Sequence, residues 1–344
     1  MALLEVEDLE VYYDSADGPV KAVDGVSFEI EAGETVGIVG ESGCGKSTLA
    51  KALIGILPKN GYINSGKILF KGEDLTDMPE KRRRELRWDE ISLIAQSAMN
   101  ALDPVYTIRE QILEAIDAHY PKMGRTEAQE IIDESFDIVG LDRERQTDYP
   151  HQFSGGMRQR AMIAMSLVLQ PSLILADEPT TALDVIMQDQ ILKRINGIQR
   201  ESDTAMMVIT HDVAVVAETC DRVVVMYAGE LAEEGPAEFI FGEPYHPYTL
   251  GLKSAFPDIR LSEQDLVSIG GHPPDLSNPP SGCRFAERCP LATEICTQQE
   301  PPMVEHGELR SFCHHTDRID SELRSVASSA RTWQNDASME AGDD

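Results

Sequence analysis

Gly40-Glu41-Ser42-Gly43-Cys44-Gly45-Lys46-Ser47-Thr48 follows a short apolar run, Thr35-Val36-Gly37-Ile38-Val39, and opens a helix-forming run from Thr48 to Leu57. Strand, glycine-rich loop and helix follow one another, and G-x-x-x-x-G-K-S is met at every fixed position. Gly40, Gly43 and Gly45 lack Cβ atoms, so the backbone N–H groups from Gly40 through Cys44 to Thr48 can turn inward around a phosphate. The helix N-terminus adds partial positive charge at the same place. Lys46 supplies a full charge for the β- and γ-phosphates, and the Ser47 hydroxyl can reach Mg²⁺. The stretch therefore implies a nucleoside-triphosphate site in an α/β protein.

Outward from this loop, the chain has 344 residues, enough for one large α/β domain with an appendage or for two domains. Apolar residues make up 42%, which suits a cored globular protein. The apolar run Ala161 to Leu169 is far short of a membrane span. The opening residues lack a basic segment followed by a long apolar one, so a cytosolic location is expected, with membrane contact made through partners. The charge is unusual: 60 acidic against 30 basic residues, a net of −30, with Arg outnumbering Lys 20 to 10. Such a surface is repelled by nucleic acid and by anionic lipid. Self-repulsion on this scale calls for screening, and the Debye length falls to about 3 Å at 1 M salt. A halophilic origin is thus expected. Unfolding measured against KCl checks it: stability should rise towards molar salt, and equal stability in dilute buffer excludes the idea.

Along the chain, Leu3 to Tyr13 reads as a strand and Val20 to Ile30 as a second and third. Tyr12 and Tyr13 suit strand packing or stacking on a base equally. Ser65 to Phe70 and Ile91 to Gln96 read as strands, and Glu80 to Glu85 as a solvated helix face. Thr107 to Tyr120 and Thr126 to Val139 have helical periodicity, with a capping-box pattern at Thr126-Glu127-Ala128-Gln129. Ser154-Gly155-Gly156 opens another helix and offers a second anion-binding device. Leu173 to Ala176 is a short strand running into Asp177 and Glu178, two carboxylates suited to Mg²⁺ and to a water. Ala205 to Thr210 is a buried strand ending at His211, which taken alone reads as structural.

With the phosphate loop, Gln96, Ser154-Gly155-Gly156, Asp177-Glu178, Asp184 and His211 in this order, residues 1–242 resemble an ATP-binding-cassette ATPase subunit. The resemblance implies a P-loop NTPase cassette: a mixed sheet core, an antiparallel β subdomain and a helical insertion at about 105–165. It implies that Tyr13 stacks on adenine and that Asp177 holds Mg²⁺, mainly through water. Glu178 would be the general base, and His211 would contact the γ-phosphate. Gln96 would sense Mg²⁺ and γ-phosphate and link to the membrane partner. Asp184 would cross the interface of a head-to-tail dimer, and Ser154, Gly155 and Gly156 would act on the nucleotide of the opposite subunit. Closing such a sandwich does mechanical work, because ATP binds the closed state more tightly than the open one. The pattern departs at Phe153 and Met157, where Leu and Gln are commoner, and at Ala95-Gln96-Ser97.

His246-Pro247-Tyr248-Thr249, the Pro-rich stretch from Pro273 to Pro280 and Cys283-Arg284-Phe285-Ala286-Glu287-Arg288-Cys289-Pro290 resemble the C-terminal region of oligopeptide/dipeptide importer ATPases. That branch implies uptake of short peptides, or sometimes nickel or sugars, through two transmembrane permease subunits. It also implies an extracellular binding protein that delivers the cargo and a second ATPase that is related but not identical. A soluble ATPase acting on nucleic acid or ribosomes is the alternative; the single cassette and the net charge of −30 count against it. A non-catalytic regulatory subunit is opposed by the intact Glu178.

Residues 243–318 are expected as a small Cys-rich domain, and 319–344 as a short helix running into an acidic, disordered tail. Cys44 and Cys220 are isolated, whereas Cys283, Cys289, Cys296 and Cys313 are spaced C-x5-C-x6-C-x16-C. Four thiolates suit a 4Fe–4S cluster first, structural zinc second, and unmetallated core or redox thiols as the remaining reading. His314 and His315 read as surface residues.

Overall fold

The computed structural model describes residues 2–95, 102–179, 197, 203–210, 212–255 and 268–333. Gln96, Asp184 and His211 lie outside the described residues, as does 334–344.

Two sheets organise the chain. The larger runs, edge to edge, β11 (Met303–His306), β12 (Leu309–Phe312), β10 (Glu230–Pro236), β9 (Arg222–Tyr227), β3 (Thr35–Val39), β8 (Ala205–Ile209), β7 (Leu173–Asp177) and β6 (Ile91–Ile94). Pairing is parallel from β9 to β6 and antiparallel from β9 to β11, so the core sheet is mixed. The central strands are continuous apolar runs because both faces are covered. Their alternate residues sort into two cores, one on each face. Leu173, Leu175, Met207, Ile209, Val224 and Met226 pack with the antiparallel sheet and the helix that follows the phosphate loop. Ile174, Ala176, Met206, Val208, Val223 and Val225 pack with the helical insertion and the C-terminal region.

The smaller antiparallel sheet has the order β2 (Val20–Ile30), β1 (Leu4–Tyr13), β4 (Gly61–Phe70), β5 (Glu73–Asp74). Val20 to Ile30 is one strand, not two. Its register against β1 shifts near Leu9 and Val11, which lets a single strand carry the irregular pattern. After β3 come α1 (Lys46–Ile54), α2 (Glu80–Leu86), α3 (Ile108–His119), α4 (Arg125–Val139) and α5 (Gly155–Leu167). The capping box sits on α3: Thr107 Oγ1 accepts from Glu110 N (3.2 Å), and the Glu110 carboxylate accepts from Thr107 N (2.8 Å). At α4 the helix begins earlier, after Gly124, with no side-chain cap. Gln129 is instead engaged by Arg109, Asp133 and Gln146.

The C-terminal region is joined to the cassette instead of standing beside it. β12 pairs with β10 through Glu233↔Ser311 and Glu234↔Arg310, so the β11–β12 hairpin extends the nucleotide sheet. Tyr248, Phe285 and Trp333 are buried in the same core as the helical insertion. The start of the expected tail is packed as well. Ile319, Leu323 and Ala327 recur at helical spacing and are buried, and Trp333 Nε1 donates to Ala327 O at 2.8 Å.

Candidate active site

In a parallel sheet the groups that meet a ligand gather at the C-terminal ends of strands. Here the phosphate loop leaves the end of β3, and the ends of β7 and β8 lie beside it in the order β3–β8–β7. Gly40, Ser42, Gly43, Gly45, Lys46, Ser47 and Thr48 line one cavity together with Glu178. Two glycines are dictated by close approach. A Cβ on Gly40 (φ 152°) would lie 2.1 Å from Met226 O, and one on Gly45 (φ 105°) 2.1 Å from Ala22 O. The first turn of α1 carries no acidic residue of its own, which leaves its N–H groups to meet an anion from outside the helix. The Lys46 ammonium sits inside the curl of the loop, donating to Gly40 O (2.7 Å) and Glu41 O (2.8 Å). A loop without side-chain bulk, a helix N-terminus and an ammonium in one cavity fit a triphosphate.

Ser47 Oγ donates to Asp177 Oδ1 at 3.1 Å, joining the loop to the end of β7. Burial pushes the Asp177 carboxyl up, the Ser47 hydrogen bond pulls it back down, and the Glu178 charge pushes it up again. A divalent cation between the Ser47 hydroxyl and this carboxylate would relieve that cost, so the pair fits Mg²⁺. Glu178 has φ 50°, a left-handed conformation for a non-glycine residue. Its main chain is held there by donation from Glu178 N to Ile209 O (2.8 Å). Backbone strain of this kind costs about 1–2 kcal/mol and collects at functional sites.

The Tyr13 hydroxyl lies 3.1 Å from Oγ1 of Thr48, one of the residues lining the cavity. The Cys44 side chain is buried in the core, with its sulfur 3.5 Å from Lys46 Nζ. Ser154 caps α5, accepting from Met157 N at 3.3 Å. With Gly155 and Gly156 it does not line the phosphate cavity of its own chain. A residue missed in sequence is Gln159, buried on α5, whose amide donates to Pro179 O and so fastens the segment after Glu178. No local pattern marks it.

Cys283, Cys289, Cys296 and Cys313 line one enclosed pocket with His246, His314 and His315. Among the described residues no group of three or more His, Cys, Asp or Glu is placed to hold a metal ion. Burial pushes the thiols of Cys283 and Cys313 up to about 11 and about 12, and that of Cys289 up as well, with the neighbouring thiols adding to each.

Residues 23–181 match the ABC transporter family, and residues 232–296 match the family described as oligopeptide/dipeptide transporter, C-terminal region. The chain is 46% identical over 314 residues to the oligopeptide transport ATP-binding protein OppD of Escherichia coli, covering 90% of this chain and 92% of that one. It is also 46% identical over 302 residues to the dipeptide transport ATP-binding protein DppD of Bacillus subtilis, covering 87% and 90%. The chain belongs to the ABC transporter ATP-binding proteins. Within that family, a dimeric ATP-binding cassette in a post-hydrolysis state, bound to ADP and Pi, has a similar fold. The TM-score is 0.63 at 26% identity, over 68% of this chain and 98% of that one. In this ATP-binding protein the second family match, residues 232–296, begins within β10 and ends before the β11–β12 hairpin. Among its described residues no helix is long and apolar enough to cross a membrane.

Proposed function

We propose that this ATP-binding protein is the ATP-hydrolysing motor subunit of an importer of short peptides, working at the cytoplasmic face of the membrane. The observation that carries this reading is a cavity at the strand ends lined by the phosphate loop and Glu178, with Asp177 tied to that loop through Ser47. ATP and Mg²⁺ are its cofactors. In this reading Lys46 and the loop amides bind the phosphates, while Ser47 and Asp177 hold Mg²⁺. Glu178 takes the proton of the attacking water, and Tyr13 meets the base. Gln96 and His211 complete the γ-phosphate contacts. Ser154, Gly155, Gly156 and Asp184 serve the site of a second ATPase subunit packed head to tail, a related chain and not a copy. Two permease subunits carry the cargo that a binding protein delivers. Uptake of a labelled short peptide by vesicles bearing the assembled transporter, with nickel and a sugar as competitors, tests the cargo. Competition by nickel or sugar at the strength of unlabelled peptide would overturn it.

A metal cluster held by the four cysteines is the second component proposed for this protein. What supports it is four thiols lining one pocket, with those of Cys283, Cys289 and Cys313 pushed up by burial and by their neighbours, a crowding that a cation would relieve. Protein purified without oxygen is expected to absorb near about 400 nm and to contain iron. Zinc alone, or metal-free thiols, would refute the iron–sulfur assignment.

A further inference from the structure

Glu41 is the second residue of the phosphate loop, yet its polar groups are held mostly from the C-terminal region, more than two hundred residues away in sequence. Its amide donates to the hydroxyl of Tyr248 at 2.8 Å, and Tyr248 is fully buried. Its carboxylate takes both prongs of the Arg288 guanidinium, Nη1 to Oε2 at 2.8 Å and Nη2 to Oε1 at 2.9 Å. Only its carbonyl is engaged from within the loop, accepting from Lys46 Nζ at 2.8 Å and from Cys44 N at 3.3 Å.

Arg288 is itself immobilised. It is buried; Nε donates to Gly270 O (2.8 Å), Nη1 to the Tyr227 hydroxyl (3.0 Å) and Nη2 to Ile269 O (3.2 Å). Its guanidinium carbon lies 5.6 Å from the centre of the Tyr227 ring. The other arginine of the same short segment, Arg284, is buried and paired with Asp24 and Glu230. Cys283 to Cys289 is therefore fastened to the cassette at both ends, and one fastening is the phosphate loop.

We propose that Arg288 is a positioning residue for ATP binding. Through its two-pronged pair with Glu41, the C-terminal region holds the phosphate loop in the shape that presents its amides. A loop already ordered loses less entropy when the triphosphate binds, so the clamp acts on affinity. Arg is required for this because a lysine ammonium cannot make two parallel hydrogen bonds to one carboxylate. The pairing lies outside the groups that touch phosphate, and neither residue lines the phosphate cavity.

ATP hydrolysis by the full chain, measured over a range of ATP concentrations, tests the proposal. Arg288→Met should raise KM for MgATP at least about tenfold with kcat within about twofold of the parent, the mark of lost binding and not of lost active protein. Arg288→Lys should fall between. Adding Glu41→Ala to Arg288→Met should make KM no worse, because both changes break one pair. Glu41→Ala alone keeps the test alive should Arg288→Met fail to fold, since Glu41 lies at the edge with a quarter of its side chain exposed. It removes a negative charge near a polyanion, so charge alone would lower KM; the clamp requires KM to rise. A parental KM in either single variant, or losses that add in the double, would overturn the proposal. The proposal rests on the loop being the triphosphate site, and a parent chain that fails to bind MgATP would overturn that assignment instead.

Discussion

Replacing Glu178 by glutamine should lower ATP turnover by about 10²–10⁴-fold while leaving MgATP bound, the usual span for loss of a general base. Glutamine keeps the length and shape of the side chain but cannot take a proton. The backbone that aims position 178 does not depend on the carboxylate, because Glu178 N is tied to Ile209 O and Gln159 fastens Pro179. Ser47 and Asp177 remain joined, so Mg²⁺ binding should persist. Bound ATP that is not hydrolysed should then accumulate the closed pair of ATPase subunits, because a ligand shifts an equilibrium by its preference for one state. Steady-state phosphate release and size-exclusion chromatography with MgATP measure the two effects. Undiminished hydrolysis would remove Glu178 from the role of base.

Gly45→Ala should be among the most damaging small changes in the loop. The added methyl would lie 2.1 Å from the carbonyl oxygen of Ala22 on β2, and that oxygen belongs to backbone with no side-chain freedom to give. A residue other than glycine at φ 105° costs a further 1–2 kcal/mol or so. The loop has to move, and the amides that face the phosphates move with it. MgATP affinity should fall at least about tenfold, a loss of about 1.4 kcal/mol or more. Gly43→Ala is the internal control for stability. It has φ 82° but nothing within 4 Å of the added methyl, so it should lower the unfolding temperature less than Gly45→Ala does. Equal thermal losses, or parental affinity in Gly45→Ala, would contradict the steric account.

The phosphate loop was legible in sequence because its chemistry is local: glycine, lysine and serine at fixed spacing between a strand and a helix. Asp177 and Glu178 were legible for the same reason, as acids at the end of an apolar strand. The left-handed backbone at Glu178 was not, since glutamate gives no sign of a positive φ. Gln159 was hidden because a buried amide on a helix looks like any polar helical residue until its partner, Pro179 O, is known. The clamp of Arg288 on Glu41 joins opposite ends of the chain, and no periodicity reports such a pairing. The sequence did carry a signal for packing after residue 318, in Ile319, Leu323 and Ala327 at helical spacing, but the polar residues between them and the acidic end of the chain masked it. The β-hairpin that completes the cassette's own sheet was not legible, because register with β10 is set by tertiary contact.

The central claim is that ATP hydrolysis at this loop drives peptide import. The measurement that meets it most directly is simultaneous recording of phosphate release and labelled-peptide uptake in vesicles carrying the assembled transporter, with the parent chain and with Glu178→Gln. The account predicts uptake that requires ATP, rises in proportion to phosphate release, and stops with it in the variant. Peptide uptake that continues undiminished in Glu178→Gln, with hydrolysis abolished, would contradict it.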